Sequence, residues 1–361
     1  MKVEPYTIES IIHQLEFRSS DRSFLEYVNL EYSNTIQREY LEFVELIQVE
    51  APNGDEKIIM YLSLLSENEL IRFLNYPQVS AVFRNRNVEI EKKISYLTLL
   101  LCGELAKIEK LPDGYFCDNS FTPTYSHFIK YNTSKSGFEL IELFLLYDCL
   151  VVDFMSNVST NEKDLKNLEF SEMDSVYQMI YDSLSPIEGT IPFEFILKLQ
   201  QVIRVKGIMR KHDYMTISSS KFIGQIDLFS SHFDKVTTEE IIEALIHESI
   251  HVLLDKWNYF NPWEPQFEGC DVKTIVSPWT GNKINLAGAF TSAVFVWYGL
   301  YNFFTTCLEK KIYDEGRVSK KIDFIKSGFK KLNVDQSFSN LSFDGIDHLK
   351  YQFLSMQKSV E

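Results

Sequence analysis

The sequence predicts an α+β protein, predominantly helical, with a small β-sheet packed beside a buried helix that carries His247-Glu248-Ser249-Ile250-His251. Three observations lead there. Apolar residues recur at three- and four-residue spacing through the first 110 positions, the period of an amphipathic helix. Two short stretches, 214–220 and 224–229, read as strands around a turn at 221–224. They run into 237–255, a segment apolar on nearly every side, as a buried helix is.

Taken in order, residues 1 to about 110 show apolar faces at Ile11, Ile12 and Leu15, at Tyr40, Leu41, Val44 and Ile47, and at Leu70, Phe73 and Leu74. Pro77 breaks the last of these, because its ring fixes φ and removes a backbone donor. A helix over 90–110 presents Ile94, Leu97, Leu101 and Leu105 and stops at the turn signal Pro112-Asp113-Gly114. The charged side chains Arg72, Arg84, Arg86, Glu89, Glu91, Lys92 and Lys93 read as a solvated helix face. A strand is expected over 126–131, and 138–154 fits a buried helix or paired strands equally, since periodicity does not separate them. Polar residues 157–166 suit a linker, a helix follows over 170–184, and Pro186 and Pro192 bracket a second break before a helix from Phe193 to about Val205. Past the central helix, Trp257, Tyr259, Phe260, Trp263, Phe267 and Trp279 form an aromatic segment that suits either a pocket wall or a clamp holding a loop down. An apolar helix over 286–308 and a more polar, lysine-rich tail complete the chain. The domain expectation is a helical N-terminal region over 1–156, serving as a cap or peptide-docking region, and a catalytic domain over 167–361 with a helical tail.

Composition narrows the classes. A formal charge of -15 argues against a general nucleic-acid binder, since phosphate contacts need a basic surface. Five cysteines, Cys102, Cys117, Cys149, Cys270 and Cys307, are widely spaced without a Cys-x-x-Cys pair and read as reduced thiols of a cytoplasmic protein. The opening residues lack an apolar signal core, and no run reaches the length of a membrane span.

The chemistry is carried by the central helix. Thr237 with Glu240 three residues later is a capping box, and Glu239, Glu240 and Glu243 suit the positive end of the helix dipole. Residues four apart share a face, so His247 and His251 can aim at one ion with Glu248 beside them. This HExxH pattern arises by chance in a chain of this length on the order of once in a hundred. A metal would satisfy both imidazoles in their apolar surroundings; the alternative is a pair of core histidines bonded to backbone or carboxylate groups. The familiar use of such a helix is zinc hydrolysis, with the glutamate taking a proton from the bound water. Val252-Leu253-Leu254-Asp255-Lys256-Trp257 after His251 excludes a metzincin, and Glu264, Glu268 and Asp271 sit in a proline-broken loop that poorly fits a gluzincin's later helix.

The region 192–300 resembles the HExxH-type peptide-modification proteins of ribosomal peptide natural-product clusters, also described as 2-oxoglutarate-dependent peptide β-hydroxylases. The resemblance rests on an order of segments: Ile217-Ser218-Ser219-Ser220 to Gly224, then Leu245-Ile246-His247-Glu248-Ser249-Ile250-His251, then Ser277-Pro278-Trp279 with a basic residue soon after, then a Gly-led apolar helix with Gly288, Phe290, Phe295 and Trp297. It implies an Fe(II)- and 2-oxoglutarate-dependent hydroxylase acting on a side chain of a ribosomal precursor peptide. His247 and His251 would hold the metal, Glu248 would orient a ligand, and Lys283, with Trp279 and Ser277, would receive 2-oxoglutarate. The chain departs from that pattern in carrying Thr280 where many members have Arg, and in lacking a histidine in Ala287-Gly288-Ala289-Phe290-Thr291-Ser292. The third metal ligand is therefore unassigned among Glu264, Glu268, Asp271 and His348. A zinc metallopeptidase and a divergent peptide-binding protein with a decayed metal site are the alternatives.

Overall fold

The computed structural model describes residues 6–50, 55–85, 88–108, 110, 151–153, 165–166, 170–208, 215–218, 221–230, 232–262, 274–285, 289–338 and 345–361. The fold is α+β and mostly helical. The N-terminal helices are α1 (Ile8–Leu15), α2 (Ser23–Glu50), α3 (Asp55–Ser63), α4 (Glu67–Asn75), α5 (Pro77–Arg84) and α6 (Ile90–Lys107). Pro77 both ends one helix and begins the next: Tyr76 is extended, and the proline occupies the first turn of α5, where a missing N–H costs nothing. On α6 the predicted face is inward, with Leu97, Leu101 and Leu105 buried.

Next come β1 (Val151–Asp153), β2 (Leu165–Lys166), α7 (Phe170–Leu184), which keeps its expected bounds, and α8 (Ile191–Leu199). The helix expected as far as Val205 stops at Leu199, and β3 (Val202–Ile208) takes over. Val202, Ile203 and Val205 are β-branched and fully buried, which suits a strand between two partners better than the end of a helix. After β4 (Met215–Ser218) and β5 (Gln225–Ser230) come α9 (Thr238–Phe260), a hairpin of β6 (Thr274–Val276) and β7 (Lys283–Asn285), then α10 (Thr291–Lys310), α11 (Glu315–Lys331), α12 (Val334–Ser337) and α13 (Ile346–Val360). The strand expected over 126–131, Trp263, and the cysteines 117, 149 and 270 lie outside the described residues. Cys102 and Cys307 are buried.

By internal contact the chain forms two compact units, one of Met1–Tyr27, Ile180–Ile196 and Thr237–Glu361, the other of Val28–Met179 and Leu197–Val236. The first is helical around α10, which packs against α1, α9, α11 and α13. Phe290, Phe295, Phe303, Phe329 and Phe353 are fully buried there, each contributing roughly 2–3 kcal/mol by burial. Gly299 lets α10 approach α9: a Cβ at that position would lie 2.5 Å from Ile250 Cδ1. The second unit holds a mixed sheet in the order β1-β3-β5-β4, with β2 also paired to β3. β1, β3 and β5 are parallel, while β4 joins β5 antiparallel, Met215 opposite Phe229 and Ser218 opposite Ile226. These last two are the strands read from the sequence. Arg204 and Asp227, directly opposed on β3 and β5, form a two-pronged ion pair with Nε to Oδ1 at 2.7 Å.

Candidate metal centre

Helix α9 begins where its capping signals place it. Thr237 Oγ1 accepts from the Glu240 N–H at 3.3 Å, and Glu240 Oε2 accepts from the Thr237 N–H at 2.8 Å. The reciprocal pair fixes the helix start and therefore the rotation of every later side chain about its axis. The helix is nearly all buried from Ile241 to Trp257, which explains its apolar composition.

Four-residue spacing places Glu239, Glu243 and His247 along one face. Glu239 Oε2 lies 2.9 Å from Arg317 Nη1, and Glu243 pairs with Lys321. Burial opposes ionisation of Glu239, but its backbone hydrogen bonds and the Arg317 guanidinium outweigh it and hold the carboxyl below the usual range. Residues 317 and 321 are also four apart, so α11 supplies one cation per turn to the acids of α9.

At His247 the cations stop and aromatic rings begin. The Trp297 indole meets the His247 ring edge-on, with centroids 6.2 Å apart and planes at 90°. Trp279 stacks on Trp297 at 5.8 Å and 21°, and Phe324 closes on Trp297 at 5.4 Å. Sequence reasoning missed the part played by Trp297 and Phe324. The signal available was the register of α11: Arg317 and Lys321 match Glu239 and Glu243, so the next turn had to face His247.

His247, Glu248 and His251 each offer a ligand atom, and all three atoms lie within 4.8 Å of one another. The two imidazole centroids are 5.1 Å apart. Glu248 is buried, while both histidines keep part of their surface open. Among the described residues, no group hydrogen-bonds either imidazole, so the reading of two satisfied core histidines finds no partners here. Burial pushes His251 well below the ordinary histidine value, to about 4; the neighbouring His247 adds to the fall and Glu248 opposes it. A neutral imidazole is the form that binds a metal.

The remaining sequence-predicted residues lie on or beside the hairpin. Ser277 is buried, its carbonyl accepting from the Gly281 N–H at 2.9 Å and its hydroxyl from the Thr280 N–H at 3.3 Å, which closes the turn between the strands. Trp279 is buried, donates its indole N–H to the Ile325 carbonyl at 3.1 Å, and lies flat against Gly328, where a Cβ would come within 1.9 Å of the ring. Lys283 opens β7 with an exposed side chain. Trp257, from the same aromatic stretch as Trp279, is instead a clamp, buried against Phe24 at 5.4 Å and Phe260 at 5.5 Å. Of the candidates for a third ligand, His348 places Nε2 3.0 Å from Glu9, and Glu264, Glu268 and Asp271 lie outside the described residues.

No protein-family model matches the chain, and no curated protein matches it. Among the described residues no helix is long and apolar enough to cross a membrane.

Proposed function

We propose that the chain is a metal-dependent enzyme whose ion is held by His247 and His251, and that Fe(II) with 2-oxoglutarate is its working pair, hydroxylating a side chain of a ribosomal precursor peptide. The supporting observation is the convergence of three ligand atoms within 4.8 Å at imidazoles that no described residue hydrogen-bonds. The donor set fits: two imidazoles and a nearby carboxylate suit Fe(II) as well as Zn²⁺, and they leave coordination positions for other ligands. Bound Fe(II), with 2-oxoglutarate and oxygen, supplies the oxidising power needed to hydroxylate an unactivated carbon.

The protein's own contributions are positional. The edge of Trp297 fixes the plane of the His247 ring. Glu248, buried beside both histidines, orients whatever occupies the open positions. The Trp279–Trp297 stack excludes water from that side. Within this proposal Lys283 is the cation for the distal carboxylate of 2-oxoglutarate, with Ser277 and Trp279 shaping the turn that carries it.

One observation favours a second reading. A carboxylate within 4.8 Å of both imidazole donors is where the general base of a zinc metallopeptidase would stand. Anaerobic loading with Fe(II) and 2-oxoglutarate, then exposure to oxygen with a co-encoded peptide, separates the two. A mass gain of one oxygen supports the hydroxylase, and cleavage by the zinc-loaded protein supports the peptidase. Failure of the full chain to retain either metal after desalting would overturn both.

A further inference from the structure

Helix α11 packs on α10 and α13 with Val318, Ile325 and Phe329 buried, and turns a charged side outward. Phe324 does not follow that division. It is 44% exposed, four residues after Lys320 and seven before Lys331, so the three side chains lie on one outward face. The ring does not stand alone. It meets Trp297 at 5.4 Å, Trp297 keeps part of its own surface open, and Trp297 in turn meets His247. Partly exposed rings thus lead from the outside of α11 to the proposed metal ligands.

This surface is set before anything binds. Trp279 stacks on Trp297, donates its indole N–H to the Ile325 carbonyl and lies against Gly328, which ties the turn between β6 and β7, the helix and the aromatic rings into one wall. A wall fixed in this way lowers the cost of binding.

Charge narrows the occupant. Helix α11 carries Arg317, Lys320, Lys321, Lys326, Lys330 and Lys331 against Glu315 and Asp323, in a chain whose formal charge is -15. Arg317 and Lys321 are taken by Glu239 and Glu243, and Lys326 stands over the Tyr301 ring. Lys320 and Lys331 are exposed and, among the described residues, form no ion pair with Asp323 or any other acid. Lys331 suits the negative end of the helix dipole, but Lys320, near the other end, has no such reason. An aromatic surface between two unpaired cations matches a partner that carries an aromatic side chain between two carboxylates. Two such cations are too few for binding a nucleic acid through counterion release. At 1.5 Å per residue, Lys320 and Lys331 are about 17 Å apart along the helix. In an extended peptide, side chains two residues apart share a side, so acids two before and two after an aromatic residue span about 13 Å. The lysine side chains cover the rest.

We propose that the outer face of α11 docks the substrate peptide of the metal centre through an extended segment of the form acid-x-aromatic-x-acid. Its ring lies on Phe324 and Trp297, and its carboxylates meet Lys320 and Lys331. Calling the segment a substrate rests on the function proposed above; the docking itself needs neither metal nor turnover.

Fluorescence anisotropy of the full chain with a labelled Gly-Ser-Glu-Ser-Phe-Ser-Glu-Ser-Gly peptide tests the surface. We expect saturable binding with a Kd below about 1 mM that weakens as salt rises. Binding should be at least tenfold weaker when both glutamates are lysine. Lys320→Ala with Lys331→Ala should weaken the acidic peptide about fivefold, and Phe324→Ala by about as much. The lysine variant, on exposed positions, is the check if loss of the Phe324 ring disturbs folding. Equal affinity for the glutamate and lysine peptides, undiminished binding in the double lysine variant, or binding to vesicles of equal phosphatidylserine and phosphatidylcholine with none to the peptide would overturn the assignment. So would the absence of saturable binding, whether or not the chain retains metal after desalting. Saturable binding by a chain that retains no metal would overturn the proposed function and leave the docking surface in place.

Discussion

The opening turns of α9 and its middle turns carry polar groups at the same four-residue spacing, and the protein treats them differently. Glu239 and Glu243 receive Arg317 and Lys321 from α11. His247 receives the edge of Trp297 instead, and His251 lies beside it in apolar surroundings. The acids are provided with cations by the chain, whereas His247 meets an aromatic ring and keeps part of its surface open. The pair of imidazoles is the arrangement on which the proposed metal centre rests.

The difference is broken most completely by removing the donors. His247→Ala or His251→Ala should lower metal affinity at least 100-fold in equilibrium dialysis, while Glu243→Gln should leave it unchanged within twofold. The next largest effect is expected at Lys256, further along the same helix, where a cation is buried and burial pushes its pKa from the ordinary 10.5 down to about 7. The unfolded chain holds that proton up to about pH 10, so stability rises with pH between 7 and 10 and is lost as pH falls through 7. Lys256→Met should therefore flatten the pH dependence of stability between pH 7 and 10, read by chemical denaturation across that range.

Gly328→Ala acts on the aromatic side of the comparison. Its methyl group would displace the Trp279 ring, costing about 1–3 kcal/mol in chemical denaturation and weakening the near-ultraviolet circular dichroism of the Trp279–Trp297 stack. Glu243→Gln should have the smallest effect, about 0.5–1 kcal/mol, because the Glu243–Lys321 pair is partly exposed and screened by salt.

Much of α9 was legible in the sequence because its signals are local. The capping box, the acidic first turn and the two histidines four residues apart all act within one helix, and the structure keeps them together. What surrounds the helix was less legible, since Trp257 and Trp279 come from one aromatic stretch and part ways only through residues distant in the chain. Phe24 receives the first, Gly328 the second. The same applies to the charges read as a solvated face: Arg72 pairs with the buried Glu104 at 2.8 Å, and Arg84 holds the Lys221 carbonyl. The strand beginning at Val202 reads as the end of a helix because Phe193, Ile196, Leu199 and Ile203 keep a three- or four-residue spacing that masks the short alternation Ile203-Arg204-Val205-Lys206.

The edge-on approach of Trp297 to His247 gives the protein an optical reporter of its own. A paramagnetic transition ion held at that imidazole would drain excitation from the indole over a few ångströms, whereas Zn²⁺, with its filled d shell and no redox chemistry, would leave emission largely intact. Titrating Co²⁺ and Zn²⁺ in turn while watching tryptophan emission should register occupancy at the histidines without any labelled ligand, and Trp297→Phe should silence the signal.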